Sequence, residues 1–289
     1  MPSTKVYLST LGRPVDPGDA RISVFDRGFL YGDSVYETLR TAGARVVEFE
    51  RHLARLHHSA RGIGLDIPFA DAEIRAAVAA THVETGNDDS SIRIIVTRGT
   101  GPVALDPRTS EGATLVVLVQ PLTLPPPELY ERGIAVVVVT VDKGGGGLDP
   151  SIKTGNYLSN IQALRQAIAQ GADDAILCNR RGEVSEGSTS NVFIVQGERL
   201  RTPDIGAGLL AGITREVLVE LAQAAGIPVD EGALRPEDLY AADEVFLTSS
   251  VRGIMPVTRI GGQPVGTGRV GPVTERLRRL YAQALTAGS

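Results

Sequence analysis

A chain of 289 residues with 42% hydrophobic content is long enough for two domains and for a sizeable core. Its formal net charge of -5 excludes the basic footprint of a nucleic-acid or anionic-membrane binder, which leaves small molecules as the expected partners. No leader-like N-terminus and no apolar run of about 18 residues occur, so a cytoplasmic protein without a membrane span is expected.

In chain order, Ser34 to Arg40 alternates with strand period, with Tyr36, Thr38 and Arg40 on one face and Val35, Glu37 and Leu39 on the other. Helical spacing follows at 50–63, where Leu53, Leu56, Ala60 and Ile63 form a stripe, and again at about 71–85. Two β-branched runs, 91–98 and 113–120, read as strands. The prolines from Pro121 to Pro127 oppose both helix interior and central strand, so 121–131 is expected to link a first domain (1–120) to a second (132–289).

The second half opens on the strand Ile134 to Val141, then the glycines Gly144 to Gly147 and Lys153, then a helix from about 157 to 170. Strands at 174–178, 191–196 and 244–248 alternate with a helix at 213–226, and a terminal helix spans 271–286. The fold class is therefore α+β, or mixed α/β, in both halves. Gly144 to Gly147 is no phosphate loop, because no Gly-Lys-Ser/Thr follows, and Gly206-Ala207-Gly208 lacks the strand and the third glycine of a dinucleotide fingerprint.

The 29 basic residues include only three lysines, Lys5, Lys143 and Lys153; the rest are arginines. Arginine replaces lysine for surface charge but not as a nucleophilic amine, so each retained lysine poses a chemical question. Lys153 lies between a strand and a helix start, in a turn marked by Gly155 and Asn156, whereas Lys143 beside four glycines reads as a solvent-exposed side chain. Cys178 follows an apolar run and reads as a buried, inert thiol. His52, His57 and His58 share a helix without forming a close same-face pair, so they read as solvated or capping, and no metal site is expected.

Three segments, Ile152 to Leu158, Glu183 to Asn191 and Leu210 to Arg215, resemble the class IV (fold-type IV) aminotransferases, which include the branched-chain and D-amino acid aminotransferases and aminodeoxychorismate lyase. The resemblance runs in order from about Asp26 to Thr274, through Ala242 to Phe246 and Gly271 to Thr274. It implies a two-domain fold like that of D-amino acid aminotransferase, pyridoxal 5'-phosphate as cofactor, and a homodimer whose sites borrow a loop, here around 100–108. Lys153 matches the Schiff-base lysine and proton shuttle, and Glu186 the carboxylate that keeps the pyridine nitrogen protonated. Arg55, the amides of Ile213 and Thr214, and Ser250 match the phosphate ligands, Tyr157 the phenolic-oxygen partner, and Leu210 the residue packed on the ring.

The resemblance implies that the first domain makes the substrate choice. Tyr31, Tyr36, Glu37, Arg40 and Arg93 match the branched-chain enzymes, with Tyr31 and Arg93 near the substrate carboxylate; Val251 adjoins Ser250 at the same pocket. Thr38 replaces a common glycine, and Arg98 to Leu105 lacks the branched-chain glycine-rich loop. That segment opens like the D-amino acid enzymes, yet Val103 and Leu105 stand where those carry arginine and histidine, so a D-specific enzyme would need Arg27 or Arg98 instead. The expected reaction is transfer of an amino group from a branched-chain-like L-amino acid to a 2-oxo acid such as 2-oxoglutarate. A D-amino acid or mixed-specificity aminotransferase and aminodeoxychorismate lyase are the alternatives.

Overall fold

The computed structural model describes residues 3–43, 45–141 and 149–287, so Lys143 and Gly144 to Gly147 lie outside the described residues. The chain divides into two compact units, Met1–Thr123 with Ile152–Asn156, and Leu124–Ser151 with Tyr157–Gly288.

The first unit comprises β1 (Lys5–Leu8), β2 (Arg13–Val15), α1 (Arg27–Tyr31), β3 (Ser34–Ala42), β4 (Arg45–Val46), α2 (Phe49–Gly62), α3 (Asp71–Thr85), β5 (Ser90–Thr97) and β6 (Thr114–Pro121). The strands form one sheet in the order β2-β1-β6-β5-β3-β4, and every pairing is antiparallel. Strand alternation turns Val35 and Leu39 of β3, with Ile92, Ile94 and Val96 of β5, toward Leu53, Leu56 and Ala60 of α2 and Ile74 and Val78 of α3, and these form one core. Tyr36, Thr38 and Arg40 consequently share the opposite face with Arg93, which pairs directly with Thr38.

The second unit comprises α4 (Pro127–Arg132), β7 (Ile134–Thr140), α5 (Leu158–Ala169), β8 (Asp174–Cys178), β9 (Val184–Gly187), β10 (Asn191–Gln196), β11 (Arg199–Thr202), α6 (Ile213–Ala224), β12 (Val229–Glu231), α7 (Pro236–Tyr240), β13 (Glu244–Ser249), β14 (Gly253–Ile260), β15 (Gln263–Pro264) and α8 (Pro272–Ala287). Its sheet runs β12-β11-β10-β13-β14-β7-β8-β9, with β15 on β14. The central strands are buried on both faces, which is why 191–195 is an unbroken apolar run after Asn191. Val192 and Ile194 enter one core, while Phe193 and Val195 enter another with Leu218 and Ala222 of α6 and Leu277 of α8. Phe193 stacks on its cross-strand partner Phe246 with ring centres 5.2 Å apart.

The mixed strand and helix order expected from the sequence is present. The proline-rich run departs from expectation, because Pro127 opens α4 rather than preventing it. At the first helical position the missing N–H has no intrahelical partner to lose, and the fixed φ already suits a helix. The β7-α5-β8 connection joins parallel strands, and Lys153 lies on it, in the piece 152–156 that belongs to the first unit.

Candidate active site

In the first unit, the Lys153 segment lies along β3. The Lys153 N–H donates to Ser59 Oγ of α2 at 3.1 Å, its C=O accepts the Tyr36 N–H at 3.0 Å, Thr154 bridges Val35, and the Gly155 N–H donates to the Ser34 C=O at 3.0 Å. Close approach at this rung requires glycine, since a Cβ at Gly155 would sit 2.5 Å from Ser34 Oγ. The lysine is thus anchored through its backbone. Its Nζ lies 4.6 Å from the Tyr36 ring centre, and the Arg93 guanidinium lies 4.2 Å from the same centre. Tyr36, Arg93 and Lys153, three of the residues singled out in the sequence, therefore meet at one ring. Arg40 lies on the same strand face, its Nε donating to the Thr41 C=O at 3.1 Å, and Tyr31 ends α1 with the Arg27 guanidinium 5.1 Å from its ring centre.

Behind β3, the core face carries a charge. Glu37, fully buried between Val35 and Leu39, accepts from Arg55 Nε at 2.8 Å and Arg55 Nη2 at 2.7 Å, and pairs with His52 Nδ1 at 2.7 Å. Burial alone would raise the Glu37 carboxyl, but the Arg55 guanidinium and the His52 imidazole outweigh it and hold the group at about 2. Burial pushes His52 below its ordinary value; Glu37 pulls it up, and the positive charges of Arg55 and Lys153 reinforce the fall. His52 is therefore neutral, and its Nδ1–H donates to Glu37. This corrects the sequence reading of His52 as solvated. The sequence does hold a signal for it: His52, Arg55 and Ser59 recur at helical spacing beside the apolar stripe, and Glu37 is a carboxylate on an apolar strand face.

Both shifts have the same sign for stability. The unfolded chain takes up a proton at His52 below 6.5 and at Glu37 below 4.5, while the folded chain resists both, so stability present above those values is lost on acidification. Thermal unfolding followed against pH should show the melting temperature falling below pH 6.5 and most steeply from 4.5 to about 2. In Glu37→Gln the steep acid limb should flatten, and an unchanged limb would contradict the assignment.

Arg27 and Arg98, the two arginines available for a substrate carboxylate in a D-specific enzyme, are committed elsewhere. Both Nε atoms donate to Asp33, at 3.0 and 2.8 Å. The remaining nitrogens of Arg27 donate to the carbonyls of Ala104 and Leu105, and those of Arg98 to the carbonyls of Gly64 and Ile63. Sequence reasoning misses Asp33, because nothing local marks a carboxylate shared by residues on α1 and past β5.

In the second unit, Glu186 on β9 is buried, and its Oε2 accepts the Leu210 N–H at 2.8 Å; Asn191 Nδ2 donates to the Leu210 C=O at 2.8 Å. Two of the predicted residues, Glu186 and Leu210, are thus joined directly. Asn191 has no role of its own in the sequence motif. Gly212 caps α6 with no side-chain cap, and a Cβ there would collide with Asn191 Oδ1, so Asn191 closes over the start of the helix. Ile213 and Thr214 open α6, where first-turn amides have no intrahelical acceptor and favour an anion.

Ser250 and Val251 lie half-buried in the turn after β13, and Tyr157 is the residue before α5. The turn is tied to β8 by Arg252, whose Nη2 donates to Asp174 at 2.9 Å, and Asp174 also accepts from Ser188 Oγ. Close by in sequence to Glu186 and Ser250, Ser190 Oγ and Thr248 Oγ1 are buried without a hydrogen-bond partner, and Asn191 pairs with Thr248 across the strands. Two orphaned hydroxyls, helix amides and a buried carboxylate suit a phosphorylated, nitrogenous ring. Cys178 is buried, and that burial, with the nearby charge of Glu237, raises its thiol to about 11, so it is no nucleophile. Among the described residues, no cluster of three metal-ligating side chains and no helix long and apolar enough to cross a membrane occurs.

The family described as Amino-transferase class IV matches residues 34–260. A Methanocaldococcus jannaschii protein with the provisional name branched-chain-amino-acid aminotransferase is 38% identical over 283 residues, 98% of this chain and 96% of the relative. A D-alanine aminotransferase of Bacillus licheniformis is 32% identical over 270 residues, 92% of this chain and 93% of the relative. Among solved structures, the T.th. branched-chain amino acid aminotransferase with pyridoxamine 5'-phosphate superposes with a TM-score of 0.92 at 28% identity, covering 99% of this chain and 95% of that one.

Proposed function

Since the chain belongs to the class IV aminotransferases, pyridoxal-phosphate enzymes of fold-type IV, we propose that it passes the amino group of a branched-chain-like L-amino acid to a 2-oxo acid such as 2-oxoglutarate. The observation that carries this reading is the group at the Tyr36 ring, an amine and an arginine on one strand face, while Arg27 and Arg98 are locked onto Asp33 and main-chain carbonyls. Arg93 is then the arginine placed for a carboxylate, as in the branched-chain pattern.

Pyridoxal phosphate supplies the electron sink for the pair released at the substrate Cα and carries the amino group from donor to acceptor. Lys153 would hold the cofactor through Nζ and would move the proton at the substrate Cα. Glu186, held by the Leu210 amide, would supply negative charge to the ring nitrogen, and Leu210 would pack on the ring. By the resemblance, Arg55, Ser250 and the amides of Ile213 and Thr214 would each be phosphate ligands, and Tyr157 would donate to the phenolic oxygen. Tyr31, Tyr36, Arg40, Arg93 and Val251 shape the substrate site. In this reading substrate choice falls to the first domain.

A second copy of this chain is the expected partner. Val24, Phe25 and Phe29 are exposed, as are Val103 and Leu105, and the two segments are pinned together by the Gly101 N–H to the Phe25 C=O and by Arg27 to the carbonyls of 104 and 105. An apolar patch of this kind is what a homodimer covers. Light scattering should therefore report twice the chain mass.

The similarity to a D-alanine aminotransferase favours D-amino acid or mixed specificity as the second reading. Half-reactions test both. The visible absorbance of the purified holoenzyme should bleach with L-leucine and return with 2-oxoglutarate. Bleaching by D-alanine alone would overturn the L-specific reading, and pyruvate formed from aminodeoxychorismate alone would make the protein a lyase.

A further inference from the structure

The carboxylate of Glu37 is the feature of this unit that packing does not explain. Burying three polar groups against an apolar core of valine, leucine, isoleucine, alanine and phenylalanine is seldom better for stability than apolar residues of the same volume. The cluster does, however, fix an orientation. A guanidinium is a planar fork, and Glu37 grips Arg55 along its Nε–Nη2 edge at 2.8 and 2.7 Å, which leaves one setting for the plane. His52, one turn earlier on α2, holds the same carboxylate at 2.7 Å. Ser59, one turn after Arg55, accepts the Lys153 N–H, and Tyr36, the neighbour of Glu37, donates to the Lys153 C=O. The charge cluster therefore locks α2 to β3 where both strand and helix grip Lys153.

We propose that Glu37 is a positioning residue that sets the Arg55 guanidinium for a phosphate group, with His52 as its buttress. The inference rests on the reading of Arg55 as a phosphate ligand and adds to it the residue through which that arginine acts. Glu37 touches no substrate in this scheme.

Equilibrium binding of pyridoxamine phosphate and of pyridoxamine, which lacks the phosphate, to the cofactor-free full chain tests it. Glu37→Gln keeps the shape of the side chain and removes its charge; it should weaken pyridoxamine phosphate roughly 10- to 100-fold, the scale of a lost charged hydrogen bond, and leave pyridoxamine within about twofold. Arg55→Ala should do the same, and the double variant should lose no more than Arg55→Ala alone, because the two residues act as one unit. Equal weakening of both ligands by Glu37→Gln would mean general damage to packing and would overturn the proposal. So would wild-type affinity in Glu37→Gln, or full additivity in the double variant. If Glu37→Gln does not fold, Arg55→Lys serves, since it keeps the charge and loses the fork; wild-type phosphate affinity there overturns the proposal equally. Failure of the wild-type chain to bind pyridoxamine phosphate would instead remove the aminotransferase reading itself.

Discussion

Replacing Lys153 with alanine should lower the transamination rate by roughly 10⁴-fold, the upper range for loss of a proton-transfer group, while the melting temperature stays close to that of the parent chain. The two outcomes separate because of how the residue is held. Its anchoring contacts are main-chain ones, to Ser59 and Tyr36, and they survive truncation of the side chain. Lys5 offers no substitute amine, being paired on β1 with Asp16 at 2.9 Å. Stopped-flow half-reactions with an amino donor give the rate. A Lys153→Ala protein that keeps a tenth of the parent rate would place the chemistry elsewhere.

Glu186→Gln should reduce the rate by roughly 10²- to 10³-fold, comparable to removing one preorganised electrostatic group from a reacting centre. Glutamine still offers an oxygen to the Leu210 N–H, so the 2.8 Å bond that fixes Leu210 persists and only the charge is lost. Glu186→Ala removes both, and should fall further and bind the cofactor more weakly. Equal rates for Glu186→Gln and the parent, measured in single-turnover half-reactions, would show that the carboxylate orients Leu210 and does nothing to the ring nitrogen.

Arg55 shows where sequence stops. A phosphate role is what the resemblance implies for it. Its partner is not visible, because Glu37 is 18 positions away on another element and meets it only when α2 packs on β3. His52 misleads for the same reason: helical spacing tells which residues share a face, and a polar side chain on the margin of an apolar stripe reads as solvated until its buried partner is known. Arg98 illustrates the converse. A guanidinium in a loop suggests a substrate contact, and Asp33 with two carbonyls absorbs it.

By itself the sequence determined the longest helices and most of the long strands, though not β1, β9, β11 or β14, together with the faces of β3 and the motifs around Lys153, Glu186 and Ile213, since periodicity and turn chemistry are local and each is written within a dozen residues. Even there, the proline run argues against a helix that Pro127, at the first helical position, permits. Only the tertiary structure decided which groups converge on each carboxylate: Arg55 and the neutral His52 on Glu37, Arg27 and Arg98 on Asp33, and the Leu210 amide on Glu186. The physical reason is desolvation. A buried charge persists only when its partners converge on it, and that convergence is a property of packed elements that no single segment carries.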